Sequence, residues 1–203
     1  SCCGIERVYV AQSRFDDFVD ALVEVANGYR LGSPLEPETT LGPMVNGRAA
    51  DDVRGQIERA CKAGASIAND LARHSGRGDA GSPYLEPVVL VGVDHGMDVM
   101  REESFGPVVG VMPVVGDEQA IELMNDSPYG LSASIWTADA DAARAIGARL
   151  ETGTVFMNRA DYLDPELAWT GVKDTGRGAT LSRLGYELLT RPKSYHLRLG
   201  QPG

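Results

Sequence analysis

Two adjacent thiols, Cys2 and Cys3, precede the segment IERVYVA at residues 5–11. A thiolate is a strong nucleophile that adds to carbonyl carbons, so either side chain could form a covalent intermediate. Residue type alone does not choose between them, and an adjacent pair also occurs for structural reasons. The third thiol, Cys61, falls on the apolar face of a predicted helix, where we expect it to pack in the core.

An acid and an aromatic ring stand two residues apart at Glu103 and Phe105, within the segment MREESFGP. On an extended segment these two side chains share one face, whereas Glu102 lies on the other and receives no role. A carboxylate can accept hydrogen bonds from both hydroxyls of a ribose, and a ring beside it can pack on the sugar. The residues alone favour a simpler interpretation, a surface charge that precedes a buried strand.

Composition restricts the class of protein. The 203 residues carry a net charge of −10, which argues against nucleic acid and anionic membranes as partners. No apolar run approaches the ~18 residues that a membrane span requires. Adjacent cysteines form a strained disulfide and the cysteine count is odd, so we expect a reducing, cytoplasmic environment.

Strand and helix patterns alternate along the chain. Strands are predicted at residues 5–11, 88–93, 108–115, 131–136 and 154–158. Helices are predicted at residues 14–28, 49–61, 117–124 and 138–150, with loops at 30–44 and 69–83. Ser13 and Asp16 resemble a capping box for the first helix. The alternation predicts an α/β fold with a largely parallel sheet.

The tail KSYHLRL at residues 193–199 alternates polar and apolar side chains after Pro192. This pattern is typical of a strand, and proline prevents the preceding helix from continuing. We therefore expect a C-terminal strand that projects from the body of the domain. The predicted division is a domain at residues 1–191 and an oligomerisation strand at residues 192–203.

Taken in order, the motifs resemble those of the aldehyde dehydrogenase superfamily, from its catalytic cysteine to its C-terminus. The most specific are EESFGP at residues 102–107 and NDSPYGLSAS at residues 125–134. GTVFMN at residues 153–158 and GVKDTGRG at residues 171–178 follow in the same order. The resemblance covers essentially the whole chain and implies a three-layer catalytic domain with a twisted sheet flanked by helices.

The resemblance also implies roles for individual residues. Cys2 matches the nucleophile that forms a thiohemiacetal and then a thioester, with the hydride passing to NAD or NADP. Glu103 and Phe105 match residues that contact the nicotinamide ribose. Cys3, Leu163 and Trp169 match positions along the aldehyde pocket, although ordinary packing explains the last two equally well.

The chain departs from the family pattern at several positions. The residues AWTG at positions 168–171 stand where the family usually has Pro-Phe-Gly-Gly, so that Trp169 replaces the phenylalanine. Thr180 replaces a glutamate that helps to relay protons in part of the family. Asn158 is expected to anchor a loop. The family's general base, oxyanion asparagine and phosphate-binding turn lie upstream of the cysteine and have no match here. We therefore expect a domain that is incomplete at its N-terminus and inactive alone.

Two other functions remain open from the sequence: a truncated, non-catalytic binding module, and a cysteine esterase or thioesterase. The latter requires a base near Cys2, and the histidines are His74, His95 and His196. The expected partners are a small-molecule aldehyde and further copies of the chain, forming a dimer or tetramer through the tail. No nucleic acid, membrane or metal partner is expected.

Overall fold

A computed structural model of the chain describes residues 2–74 and 80–200. The helices are α1 (Phe15–Gly28), α2 (Gly47–Lys62), α3 (Gly116–Asn125), α4 (Ala140–Gly147) and α5 (Ser182–Leu189). The strands are β1 (Arg7–Ala11), β2 (Ser66–Ile67), β3 (Val88–Val91), β4 (Val108–Val114), β5 (Tyr129–Gly130), β6 (Ser132–Ile135), β7 (Thr154–Met157), β8 (Trp169–Thr170), β9 (Val172–Lys173) and β10 (Ala179–Thr180). Each long helix and strand predicted up to residue 158 is present.

A four-stranded sheet with the order β1-β4-β3-β2 forms the centre of the first half of the chain. β1 and β3 both run parallel to β4, while the short β2 adds antiparallel at the edge. β6 and β7 pair parallel in a separate two-stranded sheet. The largely parallel α/β prediction is therefore confirmed, although the strands do not all join one sheet.

Helices cover both faces of the central sheet. Leu90 packs with Val53 and Ile57 of α2 in one apolar cluster. Its neighbour Val89 packs with Ala26 of α1 in another. Because successive side chains of a strand point to opposite faces, these two clusters make three layers. Cys61 packs against the α2 cluster, as predicted.

The helix termini differ in part from the sequence pattern. The predicted capping box at Ser13 and Asp16 is wrong, because a 3₁₀ turn at Gln12–Arg14 moves the start of α1 and no side chain caps it. α2 has a side-chain cap, since Asn46 Oδ1 accepts a hydrogen bond from the Ala49 N–H at 2.8 Å. No helix within the described residues is long and apolar enough to cross a bilayer.

The predicted strand at residues 193–199 is not formed within this chain. Residues 191–200 adopt neither helix nor strand, and residues 201–203 lie outside the described part. Tyr195, Leu197 and Leu199 are exposed. A strand requires a neighbouring edge for its backbone hydrogen bonds, and the tail has none within the described residues of its own chain.

Candidate functional site

The two adjacent thiols occupy different environments. Cys2 is exposed, whereas Cys3 is only 8% exposed. The Cys3 thiol donates to Asp161 Oδ2 at a distance of 3.4 Å. This contact brings the cysteine segment against the loop that follows β7, which also carries Leu163 and leads to β8 at Trp169. Cys2 is therefore the member of the pair that a reagent or substrate reaches.

Glu6 connects the cysteine segment to the EESFGP turn. Its Oε1 accepts the Phe105 N–H at 2.8 Å, and its two oxygens accept the Ser104 N–H at 3.1 and 3.2 Å. The main-chain oxygen of Glu6 accepts the Gly110 N–H at 3.1 Å, next to the start of the β1–β4 pairing. The segments that carry Cys2 and Glu103 are thus joined through a single residue.

The predicted extended geometry of the EESFGP turn is wrong at Phe105. This residue has a φ of 50°, in the left-handed region, so simple alternation does not describe the relation between Glu103 and Phe105. The bend allows two successive backbone N–H groups to converge on the Glu6 carboxylate. Both predicted cofactor-binding side chains remain exposed.

The rest of the EESFGP turn is held by close packing. A Cβ atom at Gly106 would lie 2.9 Å from Val53 Cγ2 and 3.2 Å from Met44 Sδ, so a larger residue here would have to displace Val53 of α2 or Met44. The Pro107 carbonyl accepts the Val88 N–H at 2.8 Å, which leads into the central sheet. The turn therefore presents Glu103 and Phe105 from a fixed backbone.

Of the predicted pocket residues Trp169 and Leu163, only the first lines the cavity described next. Trp169 lines a cavity of about 230 Å³ together with Met157 of β7 and Tyr162. The guanidinium of Arg159, another lining residue, lies 4.0 Å from the centre of the Tyr162 ring. Leu163 is outside this lining and more than half exposed.

Two departures from the family pattern meet in one strand pair. β8 and β10 pair antiparallel, and Trp169 lies directly opposite Thr180. Side chains at opposite positions of an antiparallel pair are in contact range, so the larger ring and the shorter hydroxyl side chain belong to one local arrangement. The departures at Trp169 and Thr180 therefore affect the same strand pair.

Asparagines stabilise the turns of the second half. Asn158 Oδ1 accepts the Thr137 N–H at 3.0 Å and its Nδ2 donates to the Thr137 oxygen at 2.9 Å, which confirms the predicted anchoring role. Asn125 accepts the Glu151 N–H at 2.8 Å and donates to the Arg149 oxygen at 2.9 Å. The NDSPYGL motif thus begins with a structural contact.

The three histidines lie in different environments. His95 lies between the Tyr9 hydroxyl at 2.8 Å and the Asp126 carboxylate at 2.7 Å. Burial raises the pKa of Tyr9, and the hydrogen bond with His95 is the main reason that the pKa of Asp126 is lowered. His74 is buried in the turn Leu71–His74, and His196 lies in the exposed tail.

Sequence reasoning missed Glu6 and Asp161. They lie 98 and 158 residues from their partners Ser104 and Cys3, so no local spacing marks either contact. The available signal for Glu6 is an acid inside the otherwise strand-like segment IERVYV. Asp161 has no comparable signal.

Comparison with known proteins places these features in a family. Residues 1–195 match the aldehyde dehydrogenase family. Betaine aldehyde dehydrogenase of Mesorhizobium japonicum is 34% identical over 98% of this chain and 41% of its own length. The succinate semialdehyde dehydrogenase [NAD(P)+] Sad of Escherichia coli is 36% identical over 91% of the chain and 39% of its own length.

Solved structures show the same relationship. Succinic semialdehyde dehydrogenase from Streptococcus pyogenes, in complex with NADP+, superposes with a TM-score of 0.84 at 33% identity, over 92% of this chain and 40% of that one. Betaine aldehyde dehydrogenase from Staphylococcus aureus, in complex with NAD+, gives 0.81 at 29% identity, over 90% of this chain and 36% of that one. The chain thus spans about 40% of the length of such relatives.

Proposed function

Because the chain belongs to the aldehyde dehydrogenase family, we propose that it supplies the thiol and nicotinamide-ribose part of an NAD(P)-dependent site that oxidises an aldehyde to a carboxylic acid. The observation that carries this proposal is the pairing of an exposed Cys2 with a turn that is fixed through Glu6 and leaves Glu103 and Phe105 accessible. The named relatives act on betaine aldehyde and succinate semialdehyde.

In the proposed reaction Cys2 is the nucleophile. Its thiolate adds to the aldehyde carbon, and the carbonyl oxygen takes a proton to give a thiohemiacetal. The Cys2 backbone N–H can donate to the oxygen while it is negatively charged. Forming the thioester requires the loss of that hydroxyl proton and of a hydride from the former aldehyde carbon, which the nicotinamide would accept when bound. Water then adds to the thioester carbon, and the C–S bond breaks to release the carboxylic acid and restore the Cys2 thiol.

The cofactor is NAD or NADP, which supplies the acceptor for the hydride when it is bound. Glu103 would hold the nicotinamide ribose by accepting from its two hydroxyls, and Phe105 would pack beside the same sugar. The residues fit this use, because both side chains are exposed while the backbone that carries them is packed against α2. Cys3, Leu163 and Trp169 are proposed to face the aldehyde.

The complete activity needs more than these 203 residues. The relatives are about 2.5 times as long as the part that this chain matches, which leaves room for a dinucleotide-binding domain. We propose that the general base, the second oxyanion donor and the phosphate-binding turn come from such a domain. The chain by itself is therefore expected to bind the cofactor weakly and not to turn over.

We also propose that residues 1–191 act as the catalytic domain of a cytoplasmic enzyme and residues 192–203 as its oligomerisation segment. The tail follows the end of α5 at Leu189, and its three large apolar side chains, Tyr195, Leu197 and Leu199, are exposed. Both features support this division.

The test is cysteine substitution in the complete protein that carries this chain, assayed as NAD(P)-dependent aldehyde oxidation. Cys2→Ala is expected to lower kcat about a thousandfold or more, because the covalent intermediate is lost. Cys61→Ala is the matched control and should retain kcat, since its side chain packs against the core. Normal kcat in Cys2→Ala would refute the proposed mechanism.

A further inference from the structure

We propose that Glu6 is a positioning residue of the oxidation site, which sets the place of Glu103 and Phe105 relative to Cys2. The inference rests on the proposed function, because it assigns Glu6 an effect on the cofactor-binding turn. Glu6 itself is half-buried and follows Cys2 by four positions.

The first argument is the number of contacts that meet at this residue. Its carboxylate accepts the N–H groups of Ser104 and Phe105, and its carbonyl accepts that of Gly110. Both the proposed ribose-binding turn and the strand that follows it are therefore bonded to one residue. Hydrogen bonds to an ionised acceptor are stronger than neutral ones, so a carboxylate holds the turn better than an amide would.

The second argument is the backbone conformation of Phe105, whose N–H group Glu6 binds. Phe105 adopts a φ of 50°, which a residue with a Cβ rarely takes without compensating contacts. Successive N–H groups in such a bend form a concavity that binds an anion. Here the anion is the Glu6 carboxylate, so the bend at Phe105 and the charge at Glu6 support each other.

The third argument is the rigidity between Glu6 and the thiol. β1 starts at Arg7 and pairs with β4 over five residues, from Arg7↔Gly110 to Ala11↔Val114. The short run from Cys2 to Glu6 therefore leaves from a fixed strand, and Cys3 is held by its contact with Asp161. Glu6 consequently holds both the segment that carries Cys2 and the turn that carries Glu103 in fixed positions relative to the central sheet.

The experiment compares Glu6→Gln with two substitutions in the same turn. Glu103→Gln tests the proposed cofactor contact, and Glu102→Gln is the matched control because Glu102 is an exposed acid without an assigned role. In the complete protein, single-turnover reduction of NAD(P) and the cofactor KM are measured. In the 203-residue chain, amide hydrogen exchange at Ser104 and Phe105 and the rate of Cys2 alkylation are measured.

Glu6→Gln should speed exchange at Ser104 and Phe105 about tenfold and slow single-turnover hydride transfer about tenfold, since the charge that strengthens the hydrogen bonds from both N–H groups is lost. Cys2 alkylation should stay within about twofold, because the thiol is exposed in either case. The double variant Glu6→Gln/Glu103→Gln should lose less than the product of the two single losses, since part of the effect of Glu6 passes through Glu103. Glu6→Asp keeps the charge but has a shorter side chain, so its rate of hydride transfer should fall between those of wild type and Glu6→Gln. If Glu6→Gln does not fold, Glu6→Asp takes its place in the comparison.

The outcomes separate this inference from the proposed function. Slow transfer in Glu103→Gln with normal transfer in Glu6→Gln overturns the positioning role and leaves the proposed function standing. Normal transfer in both overturns the role of Glu103 and the inference with it. Fully additive losses in the double variant also overturn the inference, because Glu6 would then act independently of Glu103.

Discussion

Cys2 and Cys3 are chemically identical side chains in different surroundings. Cys2 is exposed, while Cys3 is buried and donates its thiol hydrogen to Asp161. Reactivity of a thiol depends on access, and a buried thiol is reached more slowly than an exposed one. The environment therefore supports the assignment of Cys2 as the nucleophile, which the residue types alone left open.

We predict that Cys2 is alkylated first when the folded chain is treated with substoichiometric iodoacetamide. Cys61 is half-buried on α2 and Cys3 is almost fully buried, so both should react at least about tenfold more slowly. Peptide mapping by mass spectrometry measures the order. The same labelling in urea is the control and should bring the three rates together. Faster labelling of Cys61 in the folded chain would contradict the prediction.

At the residue scale, sequence reasoning predicted roles for Cys2, Glu103 and Phe105 from their place in motifs. It did not identify Glu6 or Asp161, because each acts through a partner that only the fold brings near. It also placed Phe105 on an extended segment, since no residue within EESFGP signals a left-handed backbone other than the neighbouring glycine. Local spacing predicts which side chains could act, but not which backbone positions they support.

At the element scale, hydrophobic periodicity predicted the long elements because each has an apolar face that must be buried. α1, α2, β3 and β4 follow this rule and line the two clusters of the central sheet. The two-residue strands β2, β5, β8, β9 and β10 escaped prediction, because their pairing depends on partners elsewhere in the chain and not on their own pattern. α4 is shorter than its alanine-rich sequence suggested and ends at Gly147.

A polar contact joins three elements of the fold. Tyr9 of β1 bonds His95, which bonds Asp126 at the end of α3, and Arg101 reaches the same carboxylate at 3.2 Å. The contact with His95 is the first cause of the lowered pKa of Asp126, whose ordinary value is 3.8. A carboxyl whose pKa is lower in the folded chain stabilises it above the ordinary pKa, and this contribution is lost as pH falls through the lowered pKa.

We therefore predict that Asp126→Asn lowers Tm by about 2 °C near pH 6, because the exposed carboxylate has only a modest effect. The difference from wild type should narrow as pH falls below the ordinary value of 3.8 and through the lowered pKa of Asp126, because the wild-type carboxylate then takes up a proton. Thermal melts across this range measure it. Asp141→Asn is the control, since it breaks an exposed pair within α4 and should change Tm by less than about 1 °C. A difference that grows on acidification would contradict the prediction.

At the scale of the whole molecule, the C-terminal part is unusually apolar on its outside. Leu184, Tyr186 and Leu188 of α5 are more than half exposed, as are Tyr195 and Leu197 of the tail. Large apolar side chains exposed in such number are typical of a surface that binds another chain. The alternating pattern of the tail predicted a strand, and the structure shows that this chain offers it no partner edge among the described residues.

We predict that the 203-residue chain forms a dimer or larger oligomer through residues 192–203. The backbone N–H and C=O groups of the described part of the tail belong to no strand, and Leu199 is 92% exposed. Pairing with a strand edge on another copy would give these backbone groups hydrogen-bond partners and would bury Leu199. Sedimentation equilibrium at tens of micromolar measures the mass. A chain that ends at Arg191 should be monomeric.

Matched substitutions in the tail distinguish strand pairing from nonspecific hydrophobic association. Leu197→Ser removes an apolar side chain from one face of the alternating segment, whereas His196→Ser changes the neighbouring, opposite face. Because successive residues of a strand face opposite sides, Leu197→Ser should weaken association about tenfold while His196→Ser leaves it within about threefold. Equal weakening by both would argue against a paired strand, and a monomeric 203-residue chain would refute the proposed role of the tail.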